Sequence, residues 1–450
     1  MTPISLDAVL RAVNGKAVNC PDPRGVYFTG VSTDSRAVKA AELFFALVGD
    51  KYDAHDFIAS VVGIAAGAVV SRMVDCPKEG FVLIVVDDTL KALQRLAAHV
   101  RQVRPIPVVA LTGTNGKTTT KEMTAAVLGK KYSVLKTEGN LNNHIGLPLT
   151  LLRLDNEDAA VLEMGANKQG DIAELCKIAA PDIAIVTNIG PGHLEGFRSI
   201  EGVRATKLEI MNYAKTIIVN GDDDFLMEGV LERNKTRNRE IITFGKGKDV
   251  SCGGHSIREN GSALQVAIRF SNGVEIDATI RSGGMHNVSN ALAAAAAGFA
   301  MGVDTGSIQQ ALSSFKGVPM RLECREINGS LVICDYYNAN PASMANAVAE
   351  LIRLKKGTAV AVLGDMLELG EYAERYHREL GRSIPPEDVD LLIAVGELMK
   401  FTYEDFRASG GNAVHAVDAV EAGTILRRLK SKDTVLIKGS RGLKMEKVLE

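Results

Sequence analysis

Apolar and polar residues follow one another along this chain in a pattern that predicts short strands separated by helices. Runs of aliphatic and β-branched residues recur, and segments with helical spacing of apolar positions lie between them. Apolar runs placed between helices are typical of a parallel sheet that is buried on both faces. The pattern therefore predicts an α/β protein.

The predicted elements form three blocks, which we interpret as three domains because 450 residues exceed what one ordinary core holds. Residues 1–83 predict a small α/β domain. Residues 84–314 predict a central domain with a mostly parallel sheet. Residues 315–450 repeat strand and helix and predict a Rossmann-like domain.

Within these blocks the pattern places individual elements. Pro105 ends a helix at 89–103, a second helix is predicted at 56–66 and a third at 287–300. Alternating residues at 263–269, followed by a Ser-Asn-Gly turn, predict an antiparallel hairpin that extends the central sheet. The predicted strands are 25–28, 43–46, 68–70, 81–86, 108–111, 132–135, 159–163, 183–187, 216–219, 241–244, 331–334, 359–363, 391–395 and 434–437.

The segment that follows the strand at 108–111 predicts a phosphate-binding loop. It reads Gly113-Thr114-Asn115-Gly116-Lys117-Thr118-Thr119 and leads into helix-forming residues. Glycines let backbone N–H groups approach an anion closely, and a helix N-terminus favours negative charge. Lys117 would reach the β- and γ-phosphates of ATP or GTP, and the Thr118 hydroxyl would bind Mg²⁺. The strict Walker A pattern would need glycine at Leu111, so the match is partial.

Polar residues also follow the next strands of this sheet, at the edge where α/β proteins bind ligands. Glu163 ends one strand and is a candidate Mg²⁺ ligand; the alternative is a carboxylate exposed to water. His193 lies in a Gly/Pro loop and could bind a second metal ion, although a loop histidine is more often solvated. Lys207 has the pattern of an ordinary lysine on a helix surface.

Several further residues could contact a nucleotide or an anionic substrate. Asn287 and Asn290 lie one helical turn apart and could bind an adenine edge, or Asn287 could cap the helix. Arg321 follows the second block and could meet phosphate in a cleft between domains. Asp335 ends the first strand of the third block, and Lys438 ends its last strand, followed by Ser440 and Arg441.

Composition limits the classes of function. With 52 basic and 54 acidic residues the formal net charge is −2, so no broad basic field would recruit nucleic acid or an anionic membrane. Six scattered cysteines lack metal-type spacing and predict buried free thiols. The chain shows no signal peptide and no apolar run long enough to span a membrane. We therefore expect a cytoplasmic protein with no nucleic-acid partner and no stable membrane insertion.

Taken together, these segments resemble the Mur ligase family, the ATP-dependent amide-forming enzymes of peptidoglycan precursor synthesis. The resemblance rests on 112–120, 163–167, 188–195, Lys207, 286–290, Arg321 and 335–341, so it extends over all three blocks. The segments 139–148, 337–341 and 363–370 resemble the members that add D-alanyl-D-alanine. The N-terminal segments 32–36, 44–46 and 55–57 resemble the family's UDP-binding domain.

The resemblance implies roles for individual residues, here grouped by ligand. The residues implied to bind ATP are Gly113, Thr114, Asn115, Gly116, Lys117, Thr118, Thr119, Asn287, Asn290, Arg321 and Asp335. Those implied to bind two Mg²⁺ ions are Thr118, Glu163, His193 and a carbamylated Lys207. The UDP-linked substrate would contact Ser32, Thr33, Asp34, Ser35, Arg36, Phe45, Ala46, Asn140, Asn142 and Asn143, and the dipeptide would contact Tyr337, Asn338, Asn340, Lys438 and Ser440. Lys117, Lys207, His193 and Asp335 are implied to be catalytic.

The implied reaction joins D-alanyl-D-alanine to a UDP-muramoyl-tripeptide through an acyl phosphate, catalysed by a monomer with ATP and Mg²⁺. Two kinds of alternative stay open at this point. Another Mur ligase, such as the diaminopimelate- or lysine-adding enzyme, or a folylpolyglutamate synthetase would share the ATP-binding residues. A nucleotide-gated ATPase module would need no carboxylate substrate.

Overall fold

The structure is a computed structural model that describes residues 2–20, 24–74, 80–247, 249–428 and 433–450. Its principal sheets follow one another along the chain, with five, nine and six strands. Helices separate most of the parallel strands, which confirms the predicted α/β class. Sheets of this kind place the loops that follow their strands at one edge.

The first sheet has the strand order β2-β7-β6-β5-β4, and β1 pairs separately with β3. The predicted helix at 56–66 is wrong in extent, since a 3₁₀ turn at Ala54–Phe57 leads into only four α-helical residues. Gly63, with φ 97°, turns the chain out of the helix. The elements are β1 Ile4–Ser5, α1 Leu6–Val13, β2 Lys16–Val18, β3 Tyr27–Phe28, β4 Gly30–Ser32, β5 Glu42–Phe45, α2 Ile58–Val61, β6 Gly67–Val70 and β7 Val82–Val85.

The nine-stranded central sheet has the order β16-β15-β14-β13-β12-β11-β8-β10-β9 and is parallel from β9 to β14. The predicted hairpin is β15 and β16, and β14 adds a third antiparallel strand. The elements are α3 Thr89–Val103, β8 Val108–Thr112, α4 Lys117–Leu128, β9 Val134–Lys136, α5 Gly146–Leu151, β10 Ala159–Glu163, α6 Asp171–Ala179, β11 Ile183–Val186, α7 Leu194–Phe197, α8 Ile200–Lys207, β12 Thr216–Asn220, α9 Asp224–Arg237, β13 Glu240–Gly245, β14 Cys252–Asn260, β15 Ala263–Phe270, β16 Glu275–Ile280, α10 Met285–Ala300 and α11 Thr305–Ser314.

The third sheet has the order β17-β18-β22-β19-β20-β21, with β17 antiparallel and the other strands parallel. Its crossover connections match the predicted Rossmann-like domain. The elements are β17 Glu323–Ile327, β18 Ser330–Asp335, α12 Pro341–Leu354, β19 Ala359–Gly364, α13 Ala373–Ser383, β20 Leu391–Val395, α14 Met399–Ala408, β21 Ala413–Ala416, α15 Ala419–Leu426 and β22 Thr434–Lys438.

The sheets lie close to the three predicted blocks, but one boundary needs correction. Strand β7 pairs with β6 and β2 and extends to Val85. The predicted boundary after residue 83 therefore falls inside a strand of the first sheet, and the domain extends at least to Val85. The break between α11 and β17 contains the other predicted boundary.

The alanine-rich helix α10 packs against α4 and fixes where the predicted phosphate-binding loop lies. Ala291 to Ala297 are fully or almost fully buried. A Cβ at Gly298 would lie 2.3 Å from Cγ1 of Val127 on α4, so the two helices approach more closely than a larger residue would allow. Near the start of α4, Oγ1 of Thr120 donates to Oδ1 of Asn290, so the predicted phosphate-binding loop lies beside α10.

Two further expectations can be checked against the fold. Within the described residues, no helix is long and apolar enough to cross a bilayer. Cys176, Cys252 and Cys334 are buried free thiols, as predicted. Cys20 is only half-buried, and Cys324 is exposed because it lies on the edge strand β17. Cys76 lies outside the described residues.

Candidate functional site

A cleft of about 1340 Å³ lies between the carboxyl edge of the central sheet and the third domain. The central domain contributes the loop before α4, the loops after β10 and β11, and the start of α10. The third domain contributes segments that follow β18, β19 and β22. The cleft therefore brings together most of the residues singled out in the sequence.

Two glycines give the loop before α4 its shape. Gly113 has φ 150°, and a Cβ there would lie 2.0 Å from Oγ1 of Thr187. Gly116 has φ 78° and approaches the side chain of Asn290. Both positions therefore require glycine, and α4 begins at Lys117 directly afterwards. This geometry is that of an anion-binding loop at a helix N-terminus.

Lys117 is held within this loop. Its Nζ donates to the carbonyl oxygens of Gly113, at 2.8 Å, and Thr114, at 3.0 Å. Burial lowers the pKa of Lys117 to about 8, and Arg321 adds to this effect while Glu163 opposes it. The loop thus positions a lysine close to the point where phosphate oxygens would lie.

Glu163 is buried, so the alternative of a carboxylate exposed to water is wrong. Its Oε1 accepts a hydrogen bond of 2.8 Å from Nδ2 of Asn142, and its backbone N–H donates to Thr137. Its Oε2 is also buried and has no hydrogen-bond partner within the described part of the chain. A buried carboxylate oxygen without a partner is costly, and a bound cation would remove that cost.

The donor types around Glu163 suit Mg²⁺. The Thr118 hydroxyl and the carboxylate of Glu163 both line the cleft and are hard oxygen donors. Across residues 2–20, 24–74, 80–247, 249–428 and 433–450, no group of three or more His, Cys, Asp or Glu side chains could hold a metal ion. A metal site here would therefore also need the hydroxyl, substrate oxygens or water.

Lys207 does not lie on a helix surface, and the interpretation of an ordinary exposed lysine is wrong. It is the last residue of α8 and is 2% exposed. Its Nζ lies 5.4 Å from the centroid of the Phe197 ring. Burial and then the positive charge of Lys117 hold the pKa of Lys207 well below its ordinary value. Both causes disfavour the ammonium form of Lys207.

His193 contacts the third domain. Its Nδ1 lies 2.7 Å from Oε2 of Glu368, and this hydrogen bond lowers the pKa of the Glu368 carboxyl. The backbone of His193 is left-handed, with φ 53°, at the start of α7. The histidine is thus held by a carboxylate from another domain rather than merely solvated.

Two more side chains reach the phosphate-binding loop from the third domain. Nη2 of Arg321 donates to Oγ1 of Thr118 at 3.0 Å, and the guanidinium lies 4.3 Å from the centroid of the Tyr337 ring. Nδ2 of Asn340 donates to Oδ1 of Asn115 at 2.7 Å. Arg321 thus contacts the predicted phosphate-binding loop, and its contact with a phosphate stays a prediction.

Asp335 and Lys438 neutralise each other. Nζ of Lys438 lies 2.7 Å from Oδ2 of Asp335 and also donates to the carbonyl oxygen of Asn338. Oγ of Ser440 accepts a hydrogen bond from the backbone N–H of Leu367 at 2.9 Å. The predicted dipeptide contacts Lys438 and Ser440 therefore already have protein partners.

Asn287 and Asn290 form a buried amide network instead of a helix cap. Helix α10 begins at Met285, so the interpretation of Asn287 as its capping residue is wrong. Nδ2 of Asn290 donates to Oδ1 of Asn287, and Oγ1 of Thr120 donates to Oδ1 of Asn290. Both asparagines line the cleft, and their contact with adenine stays a prediction.

Comparison with known proteins agrees with this arrangement. The family model of the Mur ligase middle domain matches residues 111–298, and that of the Mur ligase glutamate ligase domain matches residues 320–441. The chain belongs to the Mur ligase family. The predicted ATP-dependent ligase class is thereby confirmed.

Several relatives and solved structures are similar over nearly the whole chain. UDP-N-acetylmuramoyl-tripeptide--D-alanyl-D-alanine ligase of Bacillus subtilis (strain 168) is 37% identical over 98% of this chain and 96% of its own length. The enzyme of the same name from Escherichia coli (strain K12) is 36% identical over 100% and 98%. The crystal structure of MurF from Acinetobacter baumannii has a TM-score of 0.91 at 32% identity, covering 100% of this chain and 98% of that one.

A further structure bears on the nucleotide. MurF ligase from Thermotoga maritima, in complex with ADP, has a TM-score of 0.82 at 30% identity, covering 93% of this chain and 96% of that one. This similarity supports the use of ATP by the Mur ligase described here.

Only some of the residues predicted to bind the UDP-linked substrate of this Mur ligase line the cleft. Asn140, Asn142 and Asn143 line the cleft. The segment Ser32-Thr33-Asp34-Ser35-Arg36 begins at the last residue of β4 and is not among the cleft-lining residues. There Nε and Nη2 of Arg36 donate to the Asp34 carboxylate, which lowers the pKa of Asp34 to about 2.

The prediction that Phe45 and Ala46 contact the UDP-linked substrate needs correction for their side chains. Both side chains are fully buried in the core of the first domain of this Mur ligase. The first sheet is covered on both faces, so apolar residues at the end of β5 pack inward on either face. Their side chains are structural and do not reach a substrate, so a contact with the UDP-linked substrate through their backbone is all that stays of the prediction.

Glu368 lines the cleft of this Mur ligase and contacts His193, although a residue-by-residue reading of the sequence assigns it no role. It lies in the loop after β19, with a left-handed backbone at φ 63°. A signal was present in the sequence, because Glu368 lies in the loop after a predicted parallel strand, where α/β proteins bind ligands. What the sequence lacked was the contact with His193, 175 positions earlier in the chain by their numbers.

Proposed function

We propose that this Mur ligase joins D-alanyl-D-alanine to UDP-N-acetylmuramoyl-tripeptide and converts ATP to ADP and phosphate. Two curated relatives that are named for this reaction match almost all of the chain. The observation that carries the proposal is the cleft itself. It places the phosphate-binding loop and a buried carboxylate opposite the third domain, so a phosphoryl donor and an amine can meet there.

The first step is phosphorylation of the tripeptide's terminal carboxylate. A carboxylate oxygen attacks the γ-phosphorus of ATP, the bond to the β,γ-bridging oxygen breaks, and ADP leaves. An acyl phosphate forms, whose phosphate is a far better leaving group than oxide. Lys117, the loop N–H groups and Arg321 stabilise the negative charge on the transferred group.

Glu163 and Thr118 would hold one Mg²⁺ ion, and His193 and Lys207 would contribute to a second. The orphaned Oε2 of Glu163 supports the first of these sites. When bound, Mg²⁺ neutralises part of the charge on the phosphates. The presence of two ions is part of this proposal.

Carbamylation of Lys207 fits its environment. A neutral amine can attack CO₂, and the resulting N–COO⁻ group loses one proton to solvent. Burial and Lys117 both disfavour the ammonium form of Lys207. The carbamate has the opposite charge, so Lys117 would stabilise it and a cation in the cleft could bind it.

The second step is attack of the dipeptide's neutral amine on the acyl carbon. A tetrahedral intermediate forms, phosphate leaves with the electrons of the C–O bond, and the nitrogen loses a proton to give the amide. Contacts between the domains, such as Asn340 with Asn115, close the cleft. A closed cleft keeps water from hydrolysing the acyl phosphate.

The first domain would bind the UDP group, with Ser32 to Arg36 at the carboxyl edge of its sheet. Asn140 and Asn143 line the cleft on the route toward the reacting carboxylate. The cytoplasmic location and the monomeric state stay predictions.

The test is product formation by the purified protein with Mg-ATP and UDP-N-acetylmuramoyl-tripeptide. We expect phosphate release that requires D-alanyl-D-alanine, together with a product that is heavier by the dipeptide less one water. Release that responds instead to a single amino acid would move the chain to another Mur ligase. Release without any acceptor would favour the ATPase module and contradict the proposal.

A further inference from the structure

Two loops of the third domain are joined at the edge of the cleft. One follows β19 and contains Leu367 and Glu368, and the other follows β22 and contains Ser440 to Gly442. The backbone N–H of Leu367 donates to Oγ of Ser440 at 2.9 Å. A Cβ at Gly442 would lie 3.2 Å from Cδ1 of Leu367. Because β19 and β22 are adjacent parallel strands, these contacts build one continuous surface that faces the cleft.

Among the described residues, three cationic side chains of the third domain line the cleft, and only one offers an exposed charge. Arg321 donates to Thr118 and stacks on Tyr337. Lys438 is 2% exposed and is paired with Asp335. The side chain of Arg441 is 54% exposed, and its ion pair is with Glu446 at 2.9 Å.

An exposed ion pair of this kind is weak and exchanges readily with another carboxylate. The planar guanidinium of arginine binds carboxylates through two parallel hydrogen bonds. Glu446 thus holds Arg441 in place at the cleft and can release it to a substrate.

The other end of the surface has the opposite charge. Glu368 is 58% exposed, and Leu367 beside it is 41% exposed although it is aliphatic. Leu367 adjoins Glu368 in sequence and Gly442, the neighbour of Arg441, in space. The surface therefore carries a guanidinium, a small apolar patch and a carboxylate. A short zwitterionic peptide with methyl side chains has the complementary groups.

We propose that Arg441 binds the C-terminal carboxylate of the incoming dipeptide and so selects the acceptor. Leu367 contacts its methyl groups, and Glu368 accepts a hydrogen bond from its amino group near His193. This inference rests on the proposed function, and it replaces Lys438 as the cation expected to bind the dipeptide. Because Arg441 touches only the remote end of the substrate, it determines acceptor affinity rather than phosphoryl transfer.

The experiment measures KM for D-alanyl-D-alanine and for its C-terminal amide, with the wild-type protein and Arg441→Ala. Wild type should prefer the free acid by about 30-fold, the usual effect of a hydrogen bond to a charged group. Arg441→Ala should raise KM for the acid by about 30-fold and leave KM for the amide unchanged. KM for ATP should not change.

Glu446→Gln is the matched control, because it removes the same ion pair and keeps the guanidinium. It should leave the preference for the free acid intact or increase it. N-acetyl-D-alanyl-D-alanine, which lacks the reactive amine, should compete with the dipeptide in wild type and in Glu368→Gln but not in Arg441→Ala.

If Arg441→Ala keeps the wild-type preference for acid over amide, the inference is wrong even though the ligase activity stands. A loss of activity in Arg441→Ala and Glu446→Gln alike, with equal effects on acid and amide, would assign the ion pair a structural role and also overturn it. Wild-type protein that forms no product with D-alanyl-D-alanine would instead refute the proposed function.

Discussion

The two sides of the cleft are built in different ways. On the central side, Glu163 is buried at the end of β10 and Lys117 begins α4, so secondary structure holds both in place. On the side of the third domain, Arg441 and Glu368 are more than half exposed and lie on loops. Buried charged groups in fixed positions suit phosphoryl transfer, because they need no rearrangement during the reaction. Exposed groups on loops suit recognition of an acceptor that must enter and leave.

The contacts between the two sides add a further distinction. Arg321 and Asn340 belong to the third domain but bond to Thr118 and Asn115 in the phosphate-binding loop. The third domain therefore helps to complete the nucleotide site as well as to bind the amine. Substitutions on the central side of the cleft should reduce the rate of the chemical step. Substitutions on the side of the third domain should alter the choice of amine or the coupling between domains.

The largest effect should come from Lys117→Ala. Removal of this charge should lower kcat by about 1000-fold, at the upper end of what one stabilising donor contributes, while circular dichroism shows an intact fold. The measurement is steady-state phosphate release.

Lys130→Ala serves as the control for this change. Lys130 follows the same helix and contacts Gln310 at the surface, so its rate should equal that of wild type. A near-normal rate in Lys117→Ala would contradict the role assigned to Lys117 in phosphoryl transfer.

Carbon dioxide depletion should have the next largest effect. If Lys207 is carbamylated, extended dialysis in CO₂-free buffer should lower kcat by about 30-fold, which lies within the range for the loss of a group that supports a metal site. Added bicarbonate should restore the rate. Lys207→Met should be slow under both conditions. A wild-type rate that does not depend on CO₂ would contradict the carbamate.

Binding of ATP should weaken as the pH rises above about 8. Burial lowers the pKa of Lys117 from 10.5 to about 8, so its positive charge is present below that pH and is lost above it. At about pH 9 the dissociation constant should be roughly tenfold larger than at neutral pH. Calorimetry without the dipeptide avoids titration of the substrate amine. Constant affinity up to about pH 10 would show that Lys117 keeps its proton.

The smallest effect should come from the bond between the domains at Asn340. Asn340→Ser removes the amide that donates to Asn115 but keeps an oxygen that can cap α12. We expect kcat/KM to fall by about fivefold, the value of one ordinary hydrogen bond, with Tm nearly unchanged.

Asn340→Ala provides the comparison, because it also removes the cap and should lower Tm as well. If Asn340→Ser behaves like wild type in both measurements, Asn340 serves only to cap the helix.

The sequence predicted those features that depend on local order. The helix at Thr89–Val103 and the strands at Ala159–Glu163 and Leu391–Val395 have the predicted bounds. The loop from Gly113 to Thr118 could be recognised because its glycines and its lysine lie within one short segment of the chain.

Features that depend on packing could not be predicted in this way. Helical spacing does not reveal that the Phe197 ring lies beside Lys207, or that the charge of Lys117 is close enough to lower the pKa of Lys207. Phe45 lies in a sheet covered on both faces, where alternation no longer separates core from ligand contacts. Asn115 and Asn340 are 225 residues apart and meet only because two domains pack together. The division of roles across the cleft is therefore a property of the tertiary structure.

In the proposed mechanism, the central side of the cleft activates the tripeptide's carboxylate before the amine attacks. This activation is tested most directly by labelling that carboxylate with oxygen-18 and analysing the released phosphate by mass spectrometry. We expect each released phosphate to carry one labelled oxygen, because the acyl C–O bond breaks when the amide forms. Phosphate without label, formed together with the amide product, would contradict an acyl phosphate and with it the roles assigned to Lys117 and Glu163.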